Sequence, residues 1–427
     1  MIEISVSFCR TLEQWTLEGG NLELQLAEFG QHVITTESEV HALCHTLDAL
    51  HNNSELLTST EQHPLPFLAH FFRGVQDEPL QRTIIDKGLP VLRWYVADAL
   101  AGKPHQDHDL MSVLEVLAQY RQKDDVSWIY KAILHPIAPN DPIWFIILAT
   151  YRDQHPYLKP FIQALAKHLP PGRACLAFLK LCDHIAETQQ LVPHAFNGPM
   201  GLEKLKSYLH PQSNRPLEFA RAAVHSATLL EPAHREILLL LADQHPDPSI
   251  AFLASVTRAS LGDPEEMKSL VQRCHDVHRS YETQLKLQEI GMEALIPAEA
   301  RQAEFLALAQ TSHWLESQSE LRRAPDRMKL LETRELFWLP RHQQCRLYLV
   351  KYEYEHPVGD QGLRDGVALV GSVTHSLIGE TNVSMDPADI FGLHCCWELE
   401  ALHDPLAPRN RTAKMGRNLL RKHNPNF

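Results

Sequence analysis

Apolar residues along this chain recur mostly at three- and four-residue intervals. Leu110, Val113, Leu114, Leu117 and Ala118 fall at i, i+3, i+4, i+7 and i+8, which is one face of an α-helix. Leu158, Ile162, Leu165, Ala166 and Leu169 repeat the spacing in a later segment. From about residue 37 to about 325 such segments alternate with proline-bearing breakers: His135–Pro142, His155-Pro156, Leu169–Gly172, His210–Pro216, His245–Pro248 and Ile296-Pro297. Proline fits the first turn of a helix and breaks its interior. The pattern therefore predicts helices of roughly 10–18 residues in series, joined by short turns. Helices connected in this way stack as hairpins.

After about residue 326 the period changes to two. Tyr348, Val350, Tyr352 and Tyr354 alternate with Leu349, Lys351 and Glu353, a strand with one aromatic face. Val367, Leu369, Gly371, Val373, His375 and Leu377 alternate again, after a turn-rich loop from His356 to Gly366. Asp386-Pro387 reads as an N-cap with proline at the first helical position. Leu393, Cys395, Trp397 and Leu399 read as a third strand, with a helix from Pro387 onward as the competing reading. At the other end, Ile2–Phe8 reads as a short strand and Leu22–Phe29 as an amphipathic helix. The expected organisation is an irregular N-terminal cap over 1–36, a helical array over 37–325, a small α+β domain with an antiparallel sheet over 326–404, and a C-terminal tail over 405–427. The fold class is mostly α, an α-solenoid of stacked helical hairpins followed by that α+β domain.

Two segments resemble the second helix of a HEAT repeat. In Asp247–Asp263 the matching features are an aspartate before the helix, Ile250 and Ala254 on its inner face, and a Leu261-Gly262-Asp263 ending. In Leu92–Gly102 they are Leu92-Arg93, Val96, Ala99-Leu100 and Gly102. Ile250 lies 158 residues after Leu92, close to four periods of about 40 residues. The frame departs at Ala251, where HEAT repeats carry arginine, and at Arg258, where they carry leucine. The resemblance implies an array whose common role is protein–protein interaction. Some HEAT-like proteins are instead DNA glycosylases or chromophore lyases.

Composition narrows the functional classes. The 40 Lys+Arg against 53 Asp+Glu give a net charge of −13, which argues against a nucleic-acid-binding body. The charge is uneven: Pro405–Phe427 holds six basic and no acidic residues, leaving −19 on the first 404. The basic residues of this tail are Arg409, Arg411, Lys414, Arg417, Arg421 and Lys422, a candidate arm for an anionic partner. Eight cysteines over this length do not form a disulfide framework. No apolar stretch reaches the ~20 residues of a membrane span, and Met1–Val6 lacks the basic start of a signal peptide. The expectation is a cytoplasmic protein with no membrane contact and no cofactor.

Three His/Cys clusters invite a metal: His41, Cys44 and His45; Cys274, His275 and His278; and His105, Asp107, His108 and Asp109. Zinc needs three or four converging ligands from matched elements, and none of these clusters has a second half. They are expected to hold no metal. His394-Cys395-Cys396 is the densest reactive trio. On a strand, His394 and Cys396 share a face, so Cys396 is the candidate nucleophile and His394 its base. Glu398 and Glu400 on that face oppose thiolate formation. The leading expectation is a non-catalytic interaction scaffold with a protein partner on the helical surface. The alternative is an enzyme or ligand-binding site around His394 and Cys396.

Overall fold

The computed structural model describes residues 2–19, 21–30, 32–52, 64–102, 107–152, 155–189, 194–318, 321, 323–359, 362–378, 384–408 and 412–427. The chain is mostly helical and carries one C-terminal antiparallel sheet. It divides into two compact units, residues 1–254 and 255–427, so the boundary lies well before the position near 325 expected from the change in period.

Among the described residues of the first unit the regular elements are all helices. Its helices are α1 (Ile2–Glu18), α2 (Leu22–Gln25), α3 (Glu37–Asn52), α4 (Pro64–His70), α5 (Glu78–Thr83), α6 (Leu89–Leu100), α7 (Asp107–Tyr120), α8 (Lys123–Leu134), α9 (Ile143–Ala149), α10 (Leu158–Leu165), α11 (Gly172–Gln189), α12 (Pro199–Leu209), α13 (Leu217–Ala227) and α14 (Pro232–Asp243). The next helix, α15 (Pro248–Ser260), crosses the division between the units. Packing is between near neighbours in sequence: α6 on α7 and α8, α9 on α7 and α11, α11 on α13, α12 on α13 and α14. One continuous apolar core runs through this unit from Phe8 to Ala254. Both HEAT-like segments are helical, with Leu92, Val96, Ile250 and Ala254 fully buried.

The N-terminal segment is a helix, not a strand with an irregular cap. The apolar alternation at Ile4 and Val6 faces solvent, at 49% and 51% exposure. Phe8, Leu12 and Trp15, spaced four and three residues apart, are fully buried, and α1 packs on α3. The helical stripe wins because only it places three large side chains in the core.

The helix junctions share one local device. At Asp141, Asp247, Asp263 and Asp386, each followed by proline, the carboxylate Oδ1 accepts the backbone N–H two residues on, at 2.8–3.0 Å. Proline fixes φ, and the short polar side chain satisfies an N–H that has no helical partner. Histidine does the same here. Nδ1 of His135, His155, His194, His210 and His245 accepts the N–H of residues 137, 157, 196, 212 and 247, at 3.1–3.3 Å. All but His194 precede proline. Five of the 26 histidines thus serve as structural caps. His194 also reaches Asp183 Oδ1 at 3.0 Å through Nε2, and Ser226 donates to Asp183 Oδ2 at 2.8 Å. This buried network ties the 194–197 turn to α11 and α13.

The second unit begins with α16 (Pro264–Arg273), α17 (Val277–Glu289) and α18 (Ala303–Ser317). It continues with strands β1 (Arg327–Trp338), β2 (Gln343–Val358), β3 (Leu363–Gly371) and β4 (His375–Ile378), then α19 (Pro387–Ala401) and α20 (Ala413–His423). The sheet is antiparallel in the order β1-β2-β3-β4. Its aromatic face packs Tyr348, Val350, Tyr352 and Tyr354 with Ala307 and Leu315 of α18. The tyrosines are therefore core, and α18 belongs with the sheet. The other face packs Leu347, Leu349, Val367 and Leu369 against Ile390, Phe391, Cys395 and Leu399 of α19 and Leu420 of α20.

The expected strand from Val367 to Leu377 is broken into β3 and β4 at Gly371, whose N–H donates to Thr374 O. A Cβ at Gly371 would meet Arg346 O at 2.7 Å, so the hairpin needs glycine there.

The expected third strand is instead α19. Asp386 caps it, and Ile390, Phe391, His394, Cys395, Glu398 and Leu399 are buried at helical spacing. In the strand reading Trp397 should be interior, but it is 45% exposed. The C-terminal tail is also a docked element. Thr412 caps α20, Leu420 is buried, and Asn424 bonds both the N–H and the C=O of Phe337 at the edge of β1.

Candidate functional site

The reactive trio sits on α19. Residues two apart on a helix point about 200° away from each other, so His394 and Cys396 do not share a face. His394 is fully buried with Nδ1 bonded to Ser376 Oγ at 2.6 Å. Burial holds its pKa down at about 3, so the ring is neutral at pH 7. Its Nε2 is buried without a partner. Cys395 and Cys396 are fully buried, and burial pushes the Cys395 thiol up. His375, expected on a neighbouring strand, lies at the start of β4 with its ring 5.5 Å from that of Trp314. A nucleophile needs solvent access and a lowered pKa; all three residues are buried, and the Cys395 thiol is pushed up. Native thiol alkylation should therefore reach the partly exposed Cys9 first. Cys396 should react only on unfolding; its modification in the folded chain at a free-thiol rate would restore the nucleophile reading.

What the sequence did not announce is the carboxylate two residues later. Glu398 is 6% exposed and takes three donors. Trp338 Nε1 donates to Oε2 at 2.7 Å, Thr374 Oγ1 to the same oxygen at 2.9 Å, and Arg341 Nε to Oε1 at 2.6 Å. These partners come from the end of β1, the turn after it and the β3–β4 hairpin. Glu398, Arg341 and Thr374 line a cavity of about 380 Å³ together with Ser372, His375, Ser376 and Trp397. With every oxygen engaged, Glu398 acts as a clamp holding α19 to the sheet. The one sequence signal for it was a carboxylate in a stretch otherwise buried at helical spacing.

The three His/Cys clusters lie in different surroundings. On α3, His41 and His45 are exposed while Cys44 is buried, its thiol pushed up to about 12 by burial. They line a cleft of about 1170 Å³ with Glu13, Asp48, Asp86 and Lys87. Cys274 is buried and pushed up to about 11, while His278 bonds Ser312 Oγ at 2.8 Å. His105 lies outside the described residues, as do the side chains of Asp107 and His108. Among the described residues no three His, Cys, Asp or Glu side chains are grouped to hold a metal ion.

The basic tail residues separate. Arg409 and Arg411 lie outside the described residues. Arg417 pairs with Asp389 at 2.6 Å, and Arg421 Nε donates to Phe427 O at 3.3 Å. Lys414, Arg421 and Lys422 lie exposed on α20.

In the first unit, α14 carries apolar residues on two faces. Leu238, Leu239 and Ala242 are fully buried, whereas Ile237 and Leu240 are 37% and 56% exposed. Leu241, one turn after Ile237, lines a groove of about 750 Å³ with Glu203, Lys206, His210 and Arg215. Arg215 lies over the rings of Tyr208 and Phe219. The Glu-Ile-Leu-Leu-Leu-Leu run was visible in the sequence, but which leucines face outward was not.

No family model, curated protein or solved structure matches this chain. No helix among the described residues is long and apolar enough to cross a membrane.

Proposed function

We propose that this chain is a non-catalytic scaffold whose HEAT-like helical array binds another protein. The observation that carries this reading is the outward apolar face of α14, where Ile237 and Leu240 are exposed beside the Leu241 groove. Apolar side chains grouped next to a groove are what a partner buries. Lys206 and Arg215 at the groove favour a partner segment that carries apolar side chains next to acidic ones. The exposed Lys414, Arg421 and Lys422 of α20 offer a separate contact for an anionic surface on a partner. The eight free cysteines fit a reducing compartment, and we assign the cytoplasm.

The test is affinity capture with the full chain against Ile237→Glu/Leu240→Glu, followed by rebinding of the purified partner. The double variant should fold normally, since both residues are at the surface, and lose the partner by at least tenfold in affinity. Equal binding by both chains would reject this surface. Rising salt, and Lys414→Glu/Lys422→Glu in the same assay, reads the α20 contact, which should weaken under both; insensitivity to both would remove it.

A further inference from the structure

We propose that the cavity between α19 and the β3–β4 hairpin binds a small organic oxyanion, a carboxylate or phosphate carried on a flat apolar body. The cavity, of about 380 Å³, is a small-molecule space lying within the second unit. It is a site apart from the outward face of α14.

The sign of the ligand follows from which polar groups are already engaged. The lining holds one carboxylate, Glu398, and one arginine, Arg341. Both oxygens of Glu398 already accept: Oε2 from Trp338 and Thr374, and Oε1 from Arg341. Ser376 Oγ is engaged with His394 Nδ1 at 2.6 Å. Arg341 gives only its Nε to Glu398, so its two Nη groups have no partner among the described residues. Ser372 Oγ and Trp397 Nε1 have none there either. The guanidinium and the indole only donate, and the serine hydroxyl can. An anionic acceptor matches these groups, whereas a cation would find no unengaged carboxylate.

Arg341 is also held in place. Its bond to the buried Glu398 restrains the guanidinium, so less side-chain freedom is lost when the Nη pair grips a ligand. Two parallel N–H donors match the two oxygens of a carboxylate or phosphate.

Trp397 accounts for the flat apolar body. It is 45% exposed, while the other tryptophans are buried or half-buried. It shares the lining with Val373 and Ala401. A bare inorganic anion would engage Arg341 and leave this apolar surface in water, whereas an aromatic or similarly flat body would cover it.

The test uses the full chain labelled with 5-fluorotryptophan, with the Trp397 resonance assigned by its loss in Trp397→Phe. Phenyl phosphate and benzoate are the probes, and the tighter of the two names the headgroup. At least one should shift the Trp397 resonance saturably, with a Kd on the order of 1 mM for ligands of this size. Phenol, which lacks the anion, and inorganic phosphate, which lacks the ring, should each bind about tenfold more weakly or worse. Arg341→Ala should weaken the better probe by a similar factor. Should Arg341→Ala disturb the Glu398 clamp, seen as movement of the remaining tryptophan resonances, Ser372→Asp carries the comparison. Ser372 is exposed, and the added carboxylate should repel the probe, again by about tenfold. No saturable shift with either probe overturns the proposal. So does phenol or inorganic phosphate binding as tightly as the probes, or unchanged binding in Ser372→Asp or a folded Arg341→Ala. The readout needs no protein partner, so it stands apart from the scaffold reading.

Discussion

Replacing Gly416 or Gly392 by alanine is expected to detach the C-terminal helix and destabilise the second unit by about 2 kcal/mol or more. α19 and α20 cross with these two glycines in direct backbone contact. A Cβ at Gly392 would meet Arg417 N at 2.6 Å and Ala413 O at 2.8 Å, and a Cβ at Gly416 would run into Gly392 O. Backbone cannot move aside as a flexible side chain can, so the helices must separate. Separation gives up the buried Leu420, the Arg417–Asp389 pair and the two bonds from Asn424 to Phe337. Urea unfolding should show a lower midpoint, and limited proteolysis should cut within residues 405–427 of the variant before the rest of the chain. Met415→Ala, at a 42% exposed position on the same helix, is the control and should match wild type. An unshifted midpoint in both glycine variants would mean that the two helices do not pack through this contact.

Replacing Glu398 by alanine is expected to cost about 3 kcal/mol, the larger part from donors left without an acceptor. Trp338 Nε1 and Thr374 Oγ1 are inside the protein and lose their acceptor together. An unsatisfied buried donor costs about 1–3 kcal/mol. Arg341, with its side chain 46% exposed, can turn to water and adds little. The order of effects is the discriminating result. Glu398→Ala should be worst, Glu398→Gln intermediate because one oxygen remains, and Arg341→Ala mildest. Chemical unfolding followed by Trp fluorescence reads all three. An Arg341→Ala loss equal to that of Glu398→Ala would show that the ion pair, and not the Trp338 and Thr374 bonds, holds α19 to the sheet.

Several parts of the fold were legible in the chain because they depend on local chemistry. Proline after Asp or His marks junctions since it fixes φ and leaves an N–H two residues on for the preceding side chain to take. The stripe at Leu110, Val113, Leu114 and Leu117 is a helix face because its spacing allows nothing else. The β2 alternation at Tyr348–Tyr354 held because one whole set of side chains is buried against α18. Where two periods coexist, local reasoning had no arbiter. Leu393–Leu399 alternates and also fits a helix from Pro387, and Ile4–Val6 alternates in front of the Phe8, Leu12 and Trp15 stripe. At the N-terminus burial of Phe8, Leu12 and Trp15 chose the helix, and in the later segment burial of Ile390, Phe391, Cys395 and Leu399 did, with Trp397 left at the surface.

The sequence by itself determined the helical character of the first unit after its N-terminal segment, the alternating strand at Tyr348–Tyr354, the proline-punctuated junctions and the separation of an acidic body from a basic end. These follow from residue type and spacing alone. The tertiary structure decided the boundary near 254, the burial of His394 and Cys396, the Glu398 clamp, the docking of α20 and the outward turn of Ile237 and Leu240. Each of these depends on which residues far apart in the chain come to face one another. Trp338 and Glu398 are sixty residues apart, and so are donor and acceptor only once the sheet and α19 have packed.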